Sequence, residues 1–154
     1  MKNLLLIDDD KQFSEFFAAA TKSMGLSCEI MTESKSIMFV DLAHIDHIII
    51  DLLMPEYDGL QILRFLKERD YRGHISFTSG QDISILRSAQ ELCELHQLRF
   101  HSILKKPFSL CGLEELFSLE SFVKIPNEPS EKVLLPTMEY SDMEIKHHLE
   151  IAIK

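Results

Sequence analysis

The run Ile48-Ile49-Ile50 is apolar at every successive position, and it ends on a carboxylate, Asp51. A strand with one wet face alternates apolar and polar residues. A strand apolar at consecutive positions must be covered on both sides, which is the situation of a central strand in a parallel sheet. Four residues after the acid the chain reaches Pro55, so the apolar run, the acid and the turn follow one another closely. The strand His47–Ile50 therefore demands helices on two faces and leaves one acid at its tip.

The rest of the chain supplies that cover. Leu4-Leu5-Leu6-Ile7 is a first short apolar run, and "LSCEIM" a weaker second one. Between them, Phe13, Phe16, Phe17, Ala20 and Met24 fall on one helical stripe, with Gly25 as a stop. "SKSIMFVDLAH" reads as a short helix with Ile37, Val40 and Leu42 inward. After Pro55, "DGLQILRFLKERD" starts a helix that Asp58 and Gln61 are spaced to cap. "HISFTSG" is a fourth strand, "DISILRSAQELCELHQ" a helix and "FHSIL" a fifth strand. Ser109 caps the helix "LCGLEELFSLESF". Five strand–helix pairs predict an α/β fold: a flavodoxin-like, doubly wound five-stranded parallel sheet of order 2-1-3-4-5.

Residues 1–123 are expected to form this domain. Residues 124–154 are expected to be a linker, "KIPNEPSEK", followed by a C-terminal amphipathic helix. Ser141 and Glu144 have capping-box spacing there, and Ile145, Leu149, Ala152 and Ile153 make a narrow stripe that reads as packing, not as a membrane anchor.

Charge and composition exclude several classes. A formal net charge of −9 argues against direct binding to a nucleic-acid backbone. The start "MKNLLLIDDD" lacks the apolar core of a signal peptide, and no stretch approaches the roughly 18 apolar residues of a membrane span. Cys28, Cys93 and Cys111 are three cysteines without close spacing, which reads as reduced thiols in a cytoplasmic protein.

In a doubly wound sheet, sites lie at the carboxyl ends of the strands, near the point where strand order reverses. Those ends supply Asp8-Asp9-Asp10, Asp51, Thr78-Ser79 and Lys105-Lys106. Carboxylates at close range repel unless a cation joins them. A hard ion with oxygen ligands, Mg²⁺, is the natural one, and it makes an acidic site able to accept a phosphate. A lysine and a hydroxyl at neighbouring strand ends would take the remaining phosphate oxygens. Asp51, alone on its strand, is placed to act as a nucleophile on phosphorus.

"LLLIDDDK", "IIIDLLMPEYDGL", "ISFTSGQD" and "ILKKPFS" together resemble the signatures of the response-regulator receiver domain, in order and at family spacing over roughly residues 2–122. The resemblance implies Asp51 as phosphoacceptor, with Asp8 and Asp9 as the acidic pair. Asp9 is then a direct Mg²⁺ ligand, joined by Asp51 and the backbone carbonyl of Leu53. It implies Ser79 as the switch hydroxyl, Lys106 as the phosphate-binding lysine and a cis bond from Lys106 to Pro107. It further implies a histidine kinase or phosphotransfer protein as donor, an output domain or partner, and homodimerisation as an assembly common in the family. Receivers usually carry Tyr or Phe three residues before the lysine; here that residue is Ile103. The segment 79–116 and the terminal "MEIKHHLEIAIK" are also similar to receivers fused to EAL-type cyclic-di-GMP phosphodiesterases. The chain has no Glu-Ala-Leu motif, so it would not hydrolyse the dinucleotide itself.

Plainer readings compete. Asp8-Asp9-Asp10 alone fits an ordinary helix start, where the dipole favours acids. Ser79 alone is a turn hydroxyl and Lys105 a solvated lysine. "HIDH", with His44 and His47 around Asp46, reads as a surface loop and not a metal site, His147-His148 as a polar helix face and Cys111 as an inert thiol. Two other functions remain open at this level. One is a haloacid-dehalogenase-like phosphatase whose Asp-x-Asp is Asp8–Asp10, and the other a receiver-like interaction module that is never phosphorylated.

Overall fold

The computed structural model describes residues 2–54, 59–80 and 83–117. Five strands, β1 (Asn3–Ile7), β2 (Ser27–Met31), β3 (His47–Asp51), β4 (His74–Ser79) and β5 (Arg99–Lys105), form one parallel sheet in the order β2-β1-β3-β4-β5. Among the described residues the α-helices are α1 (Lys11–Ser23), α2 (Gly59–Glu68), α3 (Ile83–Leu95) and α4 (Leu110–Phe117). The expected fold is present.

The isoleucine run explains the two layers. Ile48 and Ile50 are buried in one core with Leu63 and Leu66 of α2 and Leu86 of α3. Ile49, between them, is buried in the other, with Phe17 of α1 and Leu113 and Leu116 of α4. Each fully buried side chain of this size stabilises the fold by about 1.5–3 kcal/mol relative to exposure. No extended conformation of this run leaves either sheet face bare.

Local signals set the helix ends. Asp10 caps α1 by accepting the Phe13 N–H at 3.1 Å. After Met24 the chain turns through Gly25, whose φ of +74° is the left-handed conformation that glycine adopts without strain. Ser109 Oγ accepts the Gly112 N–H at 3.2 Å and starts α4. Among the expected inward residues of α1, Phe17 and Ala20 are buried, but Phe16 is 46% exposed and lies at the edge of the stripe.

The second crossover departs from expectation. Instead of one helix it holds two 3-10 turns, Ser34–Phe39 and Leu42–His44. Val40 is extended between them, and Asp41 begins a new turn by accepting the Ala43 N–H at 3.1 Å. Ile37 is buried as expected, with Val40 and Leu42 packed against the same core, while Phe39 points out. Serines at 34 and 36 and a β-branched residue at 40 give this segment little helical preference to resist the break. Asp58 and residues 118–154, including the expected linker and terminal helix, lie outside the described residues. No helix among the described residues is long and apolar enough to cross a membrane.

Candidate functional site

The carboxyl ends of β1, β3 and β5 converge. Carboxylate oxygens of Asp8, Asp9 and Asp51 all lie within 4.8 Å of one another. Asp8 is completely buried and Asp51 nearly so, whereas Asp9 is exposed. Lys106, one residue past β5, bridges the two buried acids, with Nζ 2.5 Å from Asp8 Oδ2 and 3.0 Å from Asp51 Oδ2.

The backbone aims each acid. Asp8 Oδ1 accepts the Asp10 N–H at 2.9 Å, and Asp51 Oδ1 accepts the Leu53 N–H at 2.9 Å. Each buried carboxylate is thus held by one backbone amide and one ammonium. Burial pushes the Asp8 carboxyl above its usual range, and the adjacent charge of Asp51 adds to this; the bonds from Lys106 and Asp10 oppose it. Burial of Lys106 works against its charge, but the bond to Asp8 and the charge of Asp51 outweigh it, and the ammonium is held more firmly than in water.

Lys106 is also clamped from the side. Its Nζ sits 4.1 Å from the centroid of the Phe13 ring, and Phe13 meets Phe108 edge to face at 5.2 Å. The bond from Lys106 to Pro107 is cis. The Lys106 N–H donates to the Ser79 carbonyl at 3.0 Å, tying the ends of β4 and β5 together.

Ser79 and Thr78 close the third side. Both are fully buried at the end of β4. Thr78 is the register partner of Asp51, and its Oγ1 is buried without a hydrogen-bond partner among the described residues. Leu53 is half-buried, two residues past β3. Ile103 is half-buried, pairs in register with Phe77 and packs on the core under α2 and α3.

All the expected site residues therefore gather at one rim. Asp10 does not share the pocket role, because its side chain is spent on capping α1. An Asp-x-Asp nucleophile pair has lost its second acid. One feature escaped the sequence: Phe13 looks like an ordinary stripe residue, and nothing local links it to Lys106. The "HIDH" reading is also corrected: His44 and Asp46 are exposed, but His47 is buried inside β3.

The profile of the family described as "Response regulator receiver domain" matches residues 4–118. The chain belongs to that family. Among curated relatives, the receiver is 28% identical over 112 residues to the transcriptional regulatory protein PmrA of Pectobacterium parmentieri, covering 72% of this chain and 48% of the relative. It is 28% identical over 127 residues to the transcriptional regulatory protein QseB of Escherichia coli O157:H7, covering 80% of this chain and 54% of the relative. The chain thus spans about half the length of these relatives. A response regulator from Colwellia psychrerythraea shares the fold with a TM-score of 0.69 at 24% identity, covering 80% of this chain and 98% of that one. The response regulator protein TrrA from Thermotoga maritima, in complex with Mg²⁺–BeF, does so with a TM-score of 0.62 at 16% identity, covering 75% and 95%.

The pocket fits a hard divalent ion. Its donors are carboxylate oxygens, one of them exposed, and oxygen donors with room for water are what Mg²⁺ takes.

Proposed function

We propose that this receiver is a phosphorylation-controlled switch in which Asp51 accepts a phosphoryl group from the phosphohistidine of a histidine kinase or phosphotransfer protein. The observation that carries the reading is the bridge from Lys106 to both Asp8 and Asp51, beside the exposed Asp9. In this reading Asp8, Asp9, Asp51 and the Leu53 carbonyl would hold Mg²⁺, which when bound would supply positive charge to offset the acids and the phosphoryl oxygens.

The Leu53 amide holds Asp51 Oδ1, so the carboxylate presents Oδ2 to the donor. As the Oδ2–P bond forms, the donor's P–N bond breaks and its electron pair stays on the ring nitrogen. Lys106 leaves Asp51 for a phosphoryl oxygen while its Nζ stays beside the Phe13 ring. The Ser79 hydroxyl takes another oxygen. Reorganisation at β4 and β5 then changes the face formed by α3, β5 and α4. Because Ile103 replaces the usual aromatic, that change passes through Ile103, the register partner of Phe77, and its packing on the core rather than through a ring flip.

The protein turns over no separate substrate in this reading and acts in the cytoplasm. Its output is a linked domain or partner, with cyclic-di-GMP turnover one candidate; homodimerisation is a further expectation. The phosphatase alternative loses support with Asp10 committed to its cap. The interaction-module alternative is separated by experiment. Incubation with acetyl phosphate and Mg²⁺ should add one phosphoryl group to the wild type and none to Asp51→Asn. A folded wild type that never gains the group contradicts the proposal.

A further inference from the structure

At the opposite end of the sheet from the acidic pocket, a cavity of about 460 Å³ opens beside the start of β3 and β4. Its wall carries Lys2, Arg72, Arg99 and His74, with Asp46 as the one carboxylate and His47 at its floor. The chain has a net charge of −9, yet three cations and two histidines line this one cavity. Two of the three cations have an acid nearby: Arg72 pairs with Asp70, and Lys2 feels the charge of Asp46. Arg99 is exposed and has no ion-pair partner among the described residues. Asp46 is engaged as well, since its Oδ2 accepts the Asn3 N–H at 2.8 Å.

His47 gives the cavity a built floor. It is 1% exposed, and its Nε2 lies 2.8 Å from Ser76 Oγ, which in turn lies 3.0 Å from Ser102 Oγ. Its Nδ1 is buried with no hydrogen-bond partner among the described residues. The His47 ring meets His101 edge to face at 5.1 Å and His74 at 5.9 Å. Three imidazoles in contact invite a metal, but the positive charges of Lys2, Arg72 and Arg99 would repel one, and the three rings do not present converging ligand atoms. The same surroundings suit an anion.

We infer that this cavity binds a small phosphate-bearing metabolite, held by Arg99, Lys2 and His74 over His47, as an input separate from the acidic pocket. A phosphate is the fitting class because it matches the arginine fork and accepts several N–H bonds at once. Binding is tied to protons. Burial, and then the charges of His101, Arg99 and Lys2, hold the His74 ring below its usual pKa, while Asp46 pulls it up. His47 lies behind it, and Arg72 is on the loop above. An anion cancels the repulsion from His101, Arg99 and Lys2, so His74 gains a proton as the ligand arrives. The signal has a route to α4: His101 Nε2 lies 3.2 Å from the Leu116 carbonyl, and the His47 ring packs on Phe117 at 5.6 Å.

The test is a titration of Asp51→Asn with inorganic pyrophosphate and phosphate at pH 6.5, followed by NMR of the histidine rings and of the backbone amides, those of Gly73, His74, Asp8, Asp9 and Lys106 among them. Asp51→Asn keeps Mg²⁺-dependent anion binding at the far pocket from mixing in, and EDTA removes it. The inference expects saturable shifts at these groups and an upward shift of the His74 pKa. It also expects Arg99→Gln to weaken the effect about tenfold while leaving phosphorylation of the Asp51-bearing protein unchanged. Shifts confined to Asp8, Asp9 and Lys106, no saturable shift at all, or a tighter response to Zn²⁺ than to pyrophosphate would each overturn it.

Discussion

Replacing Lys106 with methionine isolates the charge that holds the acidic pocket together. Nζ bonds a fully buried and a nearly buried carboxylate, at 2.5 and 3.0 Å. Removing one partner of a buried ion pair costs about 3–5 kcal/mol, because the other charge is left uncompensated. Lys106 is itself 18% exposed, so water screens part of this and the low end, about 3 kcal/mol, is expected. For a domain of this size that is a fall in Tm of roughly 10 °C in EDTA. Methionine keeps the stem that packs on Phe13, so the loss reports charge. A bound divalent ion takes over the missing neutralisation, so Mg²⁺ should stabilise Lys106→Met more than it stabilises wild type. Adding Asp51→Asn removes the repulsion and should recover more than half of the deficit. Urea unfolding of wild type, Lys106→Met, Asp51→Asn and the double variant, with and without Mg²⁺, measures all of this. A Lys106→Met protein within about 0.5 kcal/mol of wild type in EDTA, or equal Mg²⁺ stabilisation of both, would refute the reasoning.

Other outcomes follow from single residues. Burial, then the charges of His101 and His74, hold His47 well below its usual pKa. The unfolded chain therefore takes up the proton first, and stability falls as pH drops below about 6.5, by on the order of 1–2 kcal/mol at pH 5; His47→Val should flatten that slope in urea titrations between pH 7 and 5. Phe13→Leu removes the ring over Lys106 and should slow phosphorylation by acetyl phosphate a few-fold with Tm lowered by only a few degrees; an unchanged rate counts against the clamp. Gly73→Ala would bring a Cβ within 2.1 Å of Tyr71 Oη and 2.7 Å of the Asp46 carbonyl, so it should destabilise by about 2 kcal/mol, read by thermal melting. Thr78→Val removes a buried hydroxyl without a partner and should raise stability by up to about 1 kcal/mol.

What the sequence disclosed depends on how each feature is encoded. Burial on both faces is written into composition, so Ile48-Ile49-Ile50 announces the sheet on its own. Caps are local, so Ser109 and Gly25 were readable. The break at Val40 was not, because the competition between a helix and two 3-10 turns is decided by an aspartate turn and by packing of Ile37. His47 reads two ways, as the first residue of the strand and as part of the polar "HIDH" loop; the register with His74 and the contact with Ser76 decide for burial in the strand. The acids and the lysine of the pocket could be matched to a family pattern, but the aromatic clamp joins residues from opposite ends of the domain and has no local signature.

In the proposed switch Asp51 carries the phosphoryl group. Phosphorylated protein can be trapped by borohydride, which reduces an acyl phosphate, and the modified residue located by peptide mass spectrometry. Reduction at Asp51, dependent on Mg²⁺ and lost in Lys106→Met, is predicted. A group found on Asp8 or Asp9, or one stable to borohydride, would contradict the account.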